Sequence, residues 1–150
     1  MAEREYTTRR LSIVNALVAV LKQINGGSNF RTNLFENVSP RLKFWDEVEE
    51  FPAVHLNAGS ETREYQGGGY KDRFMSVTLR CYVNQEDAVE ALEALIEDVE
   101  TVVEENSRLQ YYDKNNIAQY TQQISIISID TDEGVLEPYG VGEILLEVRY

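Results

Sequence analysis

Hydrophobic positions recur along the chain in two periods, and the alternation between them lays out the elements. From Leu11, apolar side chains return at spacings of three and four through Val14, Leu17, Leu21 and Ile24, with Val18 and Val20 widening the stripe. That period belongs to a helix buried along one side. Thr7 or Thr8 supplies its N-cap, although Arg9 and Arg10 then stand against the positive end of the helix dipole. Gly26 and Gly27 offer the left-handed backbone at which helices stop. Residues 30–38 read as a strand, Pro40 and Pro52 punctuate the stretch after it, and a second strand starts at Ala53. In that strand Val54 and Leu56 share one side of the sheet and His55 takes the other. Trp45, in between, reads as a core or interface anchor.

The clearest alternation is FMSVTLRCYV, residues 74–83, where Met75, Val77, Leu79, Cys81 and Val83 face one way and Ser76, Thr78, Arg80 and Tyr82 the other. Between Leu56 and Met75 stand three consecutive glycines, Gly67, Gly68 and Gly69, followed by Tyr70 and Lys71. A phosphate-binding loop places its glycines between a strand and a helix start and ends in G-K-[ST]. Here strand resumes after Lys71, so the glycines fit the tip of a long hairpin, where positive φ is needed.

Asn84 reads as the N-cap of a second helix running to about Glu105, with Glu86 and Asp87 in its first turn. Ala88, Leu92, Leu95, Val99 and Val102 form its apolar side. Opposite them Glu86, Glu90, Glu93, Glu97, Glu100 and Glu104 keep within about 40° of one line. No Lys or Arg lies between Asn84 and Ser107 to relieve them. Two strands close the chain. In QQISIISIDT the apolar phase slips between Ile126 and Ile127, which predicts a bulge or a strand buried on both faces. In GEILLEVRY, Ile144, Leu146, Val148 and Tyr150 alternate with Leu145, Glu147 and Arg149.

The order predicts a single α+β domain over residues 1–150, a mainly antiparallel sheet with two helices packed on one face. Two helices leave the other face of such a sheet open to solvent or to a neighbouring subunit.

Charge and composition narrow the chemistry. The 26 acidic and 14 basic residues give a formal charge of −12, which repels free nucleic acid but suits a surface past which DNA slides without sticking. His55 and Cys81 are single copies, so one chain cannot assemble the usual zinc site or a disulfide, and no cofactor is expected. Cys81 reads as a small buried hydrophobe, and no G-x-S-x-G elbow accompanies His55. The apolar run after the charged N-terminus is too short to span a bilayer and contains Asn15, so the chain is expected to work inside a cell or something assembled there. The glutamate ridge is unlike the paired, inequivalent carboxylates of a glycosidase. It reads either as a solvated face or as an electrostatic contact surface. Its five neighbouring like-charge pairs cost roughly 1–2.5 kcal/mol in an isolated helix, which packing or a basic partner must offset.

The N-terminal amphipathic helix, the EEFPAVHLNAGSE entry into a strand, the hairpin, VTLRCYV followed by NQEDAVEALEALIEDVETVV, and the two closing strands resemble the tail terminator (tail completion) proteins of long-tailed bacteriophages. The resemblance spans essentially the whole chain. It implies a fold related to that of tail tube subunits and a hexameric ring of this chain on the head-proximal end of the tail tube. It further implies that the ring stops tube polymerisation, docks the head–tail connector and lets DNA pass through its channel without specific binding. Such proteins belong to the virion and are not enzymes. The tip, Gly67 to Tyr70, would then reach a neighbour or the tube, and the glutamate ridge a surrounding partner such as a basic sheath wall. Two other classes stay open to the residues alone. One is another neck component. The other is a small ligand-binding or regulatory domain, which needs a pocket with convergent polar groups; the sequence shows no cluster that would build one, and only Tyr111, Tyr112 and Tyr120 keep the reading open.

Overall fold

A computed structural model describes residues 8–27 and 29–150. The first helix, α1, spans Arg9–Leu21, and Thr8 caps it by accepting the Leu11 N–H at 3.3 Å; Thr7 lies outside the described residues. Its buried side is Ile13, Val14, Leu17, Val18 and Leu21. Leu11 and Val20 each stand about 90° from the centre of that face, so Leu11 is exposed and Val20 half-buried. The helix stops at Leu21, ahead of the expected glycines. Ile24 then folds back into the core, and Gly26, at φ 75°, donates to the Thr32 carbonyl at 3.0 Å to turn the following loop.

The strand expected over residues 30–38 is mostly absent. Phe35 and Glu36 adopt left-handed backbone (φ 49° and 62°), which breaks an extended run, and only Val38–Ser39 forms strand β1. Then come β2 (Ala53–Tyr65), β3 (Lys71–Asn84), α2 (Ala88–Glu105), β4 (Gln110–Tyr112), β5 (Ala118–Tyr120), β6 (Gln123–Thr131) and β7 (Tyr139–Arg149). The main sheet has the order β1-β2-β3-β7-β6, parallel only between β1 and β2. Both helices pack on one face, α1 over β1 and β2, α2 over β3, β7 and β6. Between helices and sheet lie Val54, Leu56, Met75, Val77, Leu79, Cys81, Ile144, Leu146 and Val148. The expected slip in β6 is a register shift between Ile126 and Ser128, which leaves Ile127 exposed. A second irregularity, in β2 between Ala58 and Glu61, was not anticipated.

β7 lies close beneath α2. A side chain at Gly140 would place its Cβ 2.7 Å from Val83 Cγ2 and 3.2 Å from the Ala88 carbonyl oxygen, and one at Gly142 would meet Ile96 and Leu92 at 3.1 and 3.3 Å. The missing side chains are what let the helix approach. β4 and β5 form a small hairpin that the sequence pattern did not reveal. Its turn is held by Asp113, whose carboxylate accepts the Asn115 and Ile117 N–H groups at 2.9 and 3.0 Å.

The second face is only partly open. His55 points to it, as expected, but is buried beneath the segment leading to Trp45. Its Nδ1–H donates to the Arg41 carbonyl at 3.0 Å, and Tyr82 beside it donates to the Lys43 carbonyl. Val48, Ala53 and Tyr82 make a small second core there. Trp45 is not a core anchor. It sits in a short 3-10 turn (Trp45–Glu47) at the surface, its ring 5.2 Å from that of Tyr139.

Candidate functional site

The features that bear on function are surfaces. The first is the hairpin tip. β2 and β3 pair as far as Tyr65 opposite Lys71, and the Gln66 N–H closes the turn onto the Tyr70 carbonyl at 2.7 Å. Gly68 and Gly69 take φ of 78° and 83°, which explains glycine at those two positions. Gly67 has no such constraint, and a Cβ there would meet nothing within 4 Å. Tyr65 and Tyr70 are exposed, and the Lys71 ammonium lies 5.9 Å from the Tyr65 ring centre. The hairpin reaches beyond the sheet less than its length suggests. Arg73 exchanges backbone hydrogen bonds with Tyr150, so only the Glu64–Asp72 and Tyr65–Lys71 rungs and the tip extend past β7.

The second is the acidic side of α2. Glu90, Glu93, Glu97, Glu100 and Glu104 occupy the helix, but Glu86 does not. Asn84 ends β3, and the chain reverses through Gln85–Asp87, so the N-cap position falls to Asp87. Asp87 makes no side-chain cap bond, and its carboxylate accepts from Gln85 Nε2 at 2.6 Å. Relief absent from the local sequence arrives from elsewhere in the chain: Arg31 pairs with Glu97 at 3.4 Å. Both side chains are exposed, so the pair contributes little by itself. The firmer link is Asp98, buried on the same helix, whose carboxylate accepts the N–H groups of Arg31 at 3.0 Å and Thr32 at 2.8 Å. An Asp in the helix pattern gave no sign of this partner 66 residues earlier.

The third is the open part of the sheet with its two lateral edges. Rows cross it as Asn57–Thr78–Leu145–Ser128 and Ser76–Glu147–Ser125, with Arg80, Glu143 and Asp130 adjacent. Arg80 pairs with Glu143 at 3.3 Å, while Glu147 and Asp130 are exposed. Among the described residues, β6 has no strand on its outer side, and β2 has none from Leu56 onward. The tip and the ridge are not brought together: α2 starts from the end of β3 away from the tip.

The remaining candidates do not converge. Tyr111 turns into the core, edge-on to Tyr150 at 6.0 Å, whereas Tyr112 and Tyr120 face solvent. Burial pushes the Cys81 thiol up to about 12 and lowers the His55 pKa, which keeps the one protonated and the other neutral near pH 7. Among the described residues no cluster of metal-ligating side chains forms, and no helix is long and apolar enough to cross a membrane.

Comparison with known proteins gives these surfaces a context. A family model described as bacteriophage tail tube terminator protein matches residues 7–150. The tail tube terminator protein p142 of Escherichia phage T5 is 35% identical over 149 residues, covering 94% of this chain and 92% of that protein. A chain in the virion of a native gene transfer agent particle shares the fold, with a TM-score of 0.54 at 9% identity over 95% of this chain and 93% of its own. The chain belongs to the bacteriophage tail tube terminator family and is a structural component of the virion tail.

Proposed function

We propose that copies of this chain close into a ring, of six subunits as the family resemblance implies, on the head-proximal end of the tail tube. There the ring ends tube polymerisation and offers the head–tail connector its docking surface. The observation that carries this reading is the pair of unlike edges on one sheet that no strand covers among the described residues: β6 on one side, where Ser107 takes only the Ile124 N–H, and β2 from Leu56 on the other, where Arg10 takes only the Gly59 carbonyl. An exposed strand edge invites pairing with another chain, and closing a ring removes both edges. Because the edges differ, a contact between them is heterologous, and such contacts generate rings when the rotation closes.

The other surfaces find roles within the ring. The tip, Gly67 to Tyr70 with Tyr65, presents exposed aromatic side chains on a narrow two-stranded extension suited to contacting the tube or a neighbour. The open face, with Glu143, Glu147 and Asp130 against Arg80, is suited to a channel wall, because carboxylates do not hold passing phosphates. The role asks for no catalysis. Light-scattering mass of the purified protein, alone and mixed with purified tail tubes, followed by electron microscopy, tests it. Rings near six subunits, or monomers that bind one tube end only, support the reading. A monomer or dimer indifferent to tube ends overturns it.

A further inference from the structure

In a chain this acidic, cations are scarce, yet five of the 14 gather round one hollow. Arg9 and Arg10 from the start of α1, Arg63 and Arg73 from the hairpin, and Lys114 from the β4–β5 turn line an opening of about 600 Å³ beside Tyr150. Two carboxylates act on this group: Glu61, bound to Arg63 at 2.8 Å and in the field of Arg10, and Asp113, in the field of Arg9. Among the described residues no ion pair reaches Arg9, Arg10, Arg73 or Lys114. The Arg73 Nε is buried without a hydrogen-bond partner among them. Among the described residues the hollow is therefore left with positive charge. Its arginines are suited to a carboxylate or a phosphate, and its size suits a few side chains rather than a duplex.

The fold indicates where carboxylates would come from. One row crosses the sheet as Glu61–Met75–Val148–Ile124. At its β2 end stands the start of α1, where Arg10 donates to the Gly59 carbonyl. At its β6 end stands the finish of α2, where Ser107 accepts the Ile124 N–H at 3.1 Å. Glu93 and Val89 share a hollow with Thr131–Gly134 at the β6 side of α2, and helical spacing sets Glu100 and Glu104 on the same side, with Glu93 and Glu100 also bordering a hollow that holds Arg31 and Glu97. Both helix ends also carry the wrong sign. α1 begins with Arg9 and Arg10 and no acid, and α2 finishes with Glu104 and Glu105 and no base.

We propose that the cationic hollow receives Glu100 and Glu104 from the α2 helix of a neighbouring copy. This rests on the ring reading, in which β6 of one subunit continues onto β2 of the next and sets the end of one α2 beside the start of the next α1. Each helix end then finds the opposite charge across the boundary.

The test uses two charge reversals in the full chain, Arg9→Glu with Arg10→Glu, and Glu100→Arg with Glu104→Arg. Circular dichroism and thermal unfolding first show that each is folded. Mass is then measured alone and on tail tubes across a range of salt. Each variant by itself is expected to associate on the order of 100-fold more weakly than wild type. Mixed in equal amounts, they should regenerate rings in which the two alternate, because each boundary again joins unlike charges. Folded variants that assemble like wild type at all salt concentrations overturn the proposal. So does a case in which their rings are normal but they lose binding to duplex DNA or another tail protein, which would assign the hollow to that partner. If wild type itself never forms a ring, alone or on tubes, the ring reading fails first, and this measurement separates the two failures.

Discussion

Replacing Gly140 by Ala tests whether α2 is held where it is by the absence of a side chain in β7. The added Cβ would lie 2.7 Å from Val83 Cγ2 and 3.2 Å from the Ala88 carbonyl oxygen. Val83 is buried, and the carbonyl belongs to helix backbone, so neither neighbour has an easy way to give. Overpacking of this kind costs about 1–3 kcal/mol. Alanine also restricts the unfolded chain, which returns roughly 0.4–1 kcal/mol. The net expectation is a loss of about 1–2 kcal/mol, or a Tm lower by about 2–8 °C for a chain of this size. Urea and thermal unfolding followed by circular dichroism measure it. Val83→Ala together with Gly140→Ala should recover part of the loss, giving a favourable coupling in the double-mutant cycle. An unchanged urea midpoint in the single variant, or strict additivity in the pair, would refute the argument that close approach of α2 and β7 requires glycine here.

Four further outcomes are expected of the same structure. His55 is held below its ordinary pKa chiefly by burial, so the unfolded chain takes up a proton near pH 6.5 that the folded chain resists. Stability should therefore fall as pH drops from about 7.5 to 5.5, and His55→Asn, which keeps a donor for the Arg41 carbonyl, should flatten that slope; an identical slope contradicts the assignment. Asp98→Ala strands the N–H groups of Arg31 and Thr32 and should cost about 2–3 kcal/mol in urea unfolding, with Asp98→Asn costing less. At the hairpin tip, Gly67→Ala should match wild type in tube-end binding, whereas Gly68→Val and Gly69→Val, forced into positive φ, should weaken it with little change in Tm; equal binding by all three would remove the tip from the contact. Reversing Glu90, Glu93 and Glu97 to Lys should block tail assembly, and normal infectivity would leave that side of α2 a solvated face.

Elements whose signal is local were legible in the sequence. Strand β3 showed itself by alternation from Met75 to Val83, β7 by alternation from Ile144 to Tyr150, and the slip in β6 by the adjacent Ile126 and Ile127. The glycine tip was legible because positive φ is a property of one residue and its neighbours. Helix α2 was legible as a helix, but its start was not. Only the route from β3 to α2 decides that Glu86 lies in the turn.

What tertiary structure alone decided depends on groups far apart in the chain. His55 alternates onto the outer face as the pattern required, yet whether that face is wet depends on the segment from Arg41 to Val48 folding over it. The glutamates of α2 lack a local cation, and Arg31 reaches them only because Asp98 holds its backbone. Arg9 and Arg10 were visible as misplaced charges at a helix start, but Arg63, Arg73 and Lys114 join them only when the hairpin and the β4–β5 turn meet that start. Periodicity records which side of an element is buried, because burial there is repeated at every turn or every second residue. It carries no record of which distant side chain stands opposite, because that is fixed by the order in which strands pair and the place where each helix comes to rest.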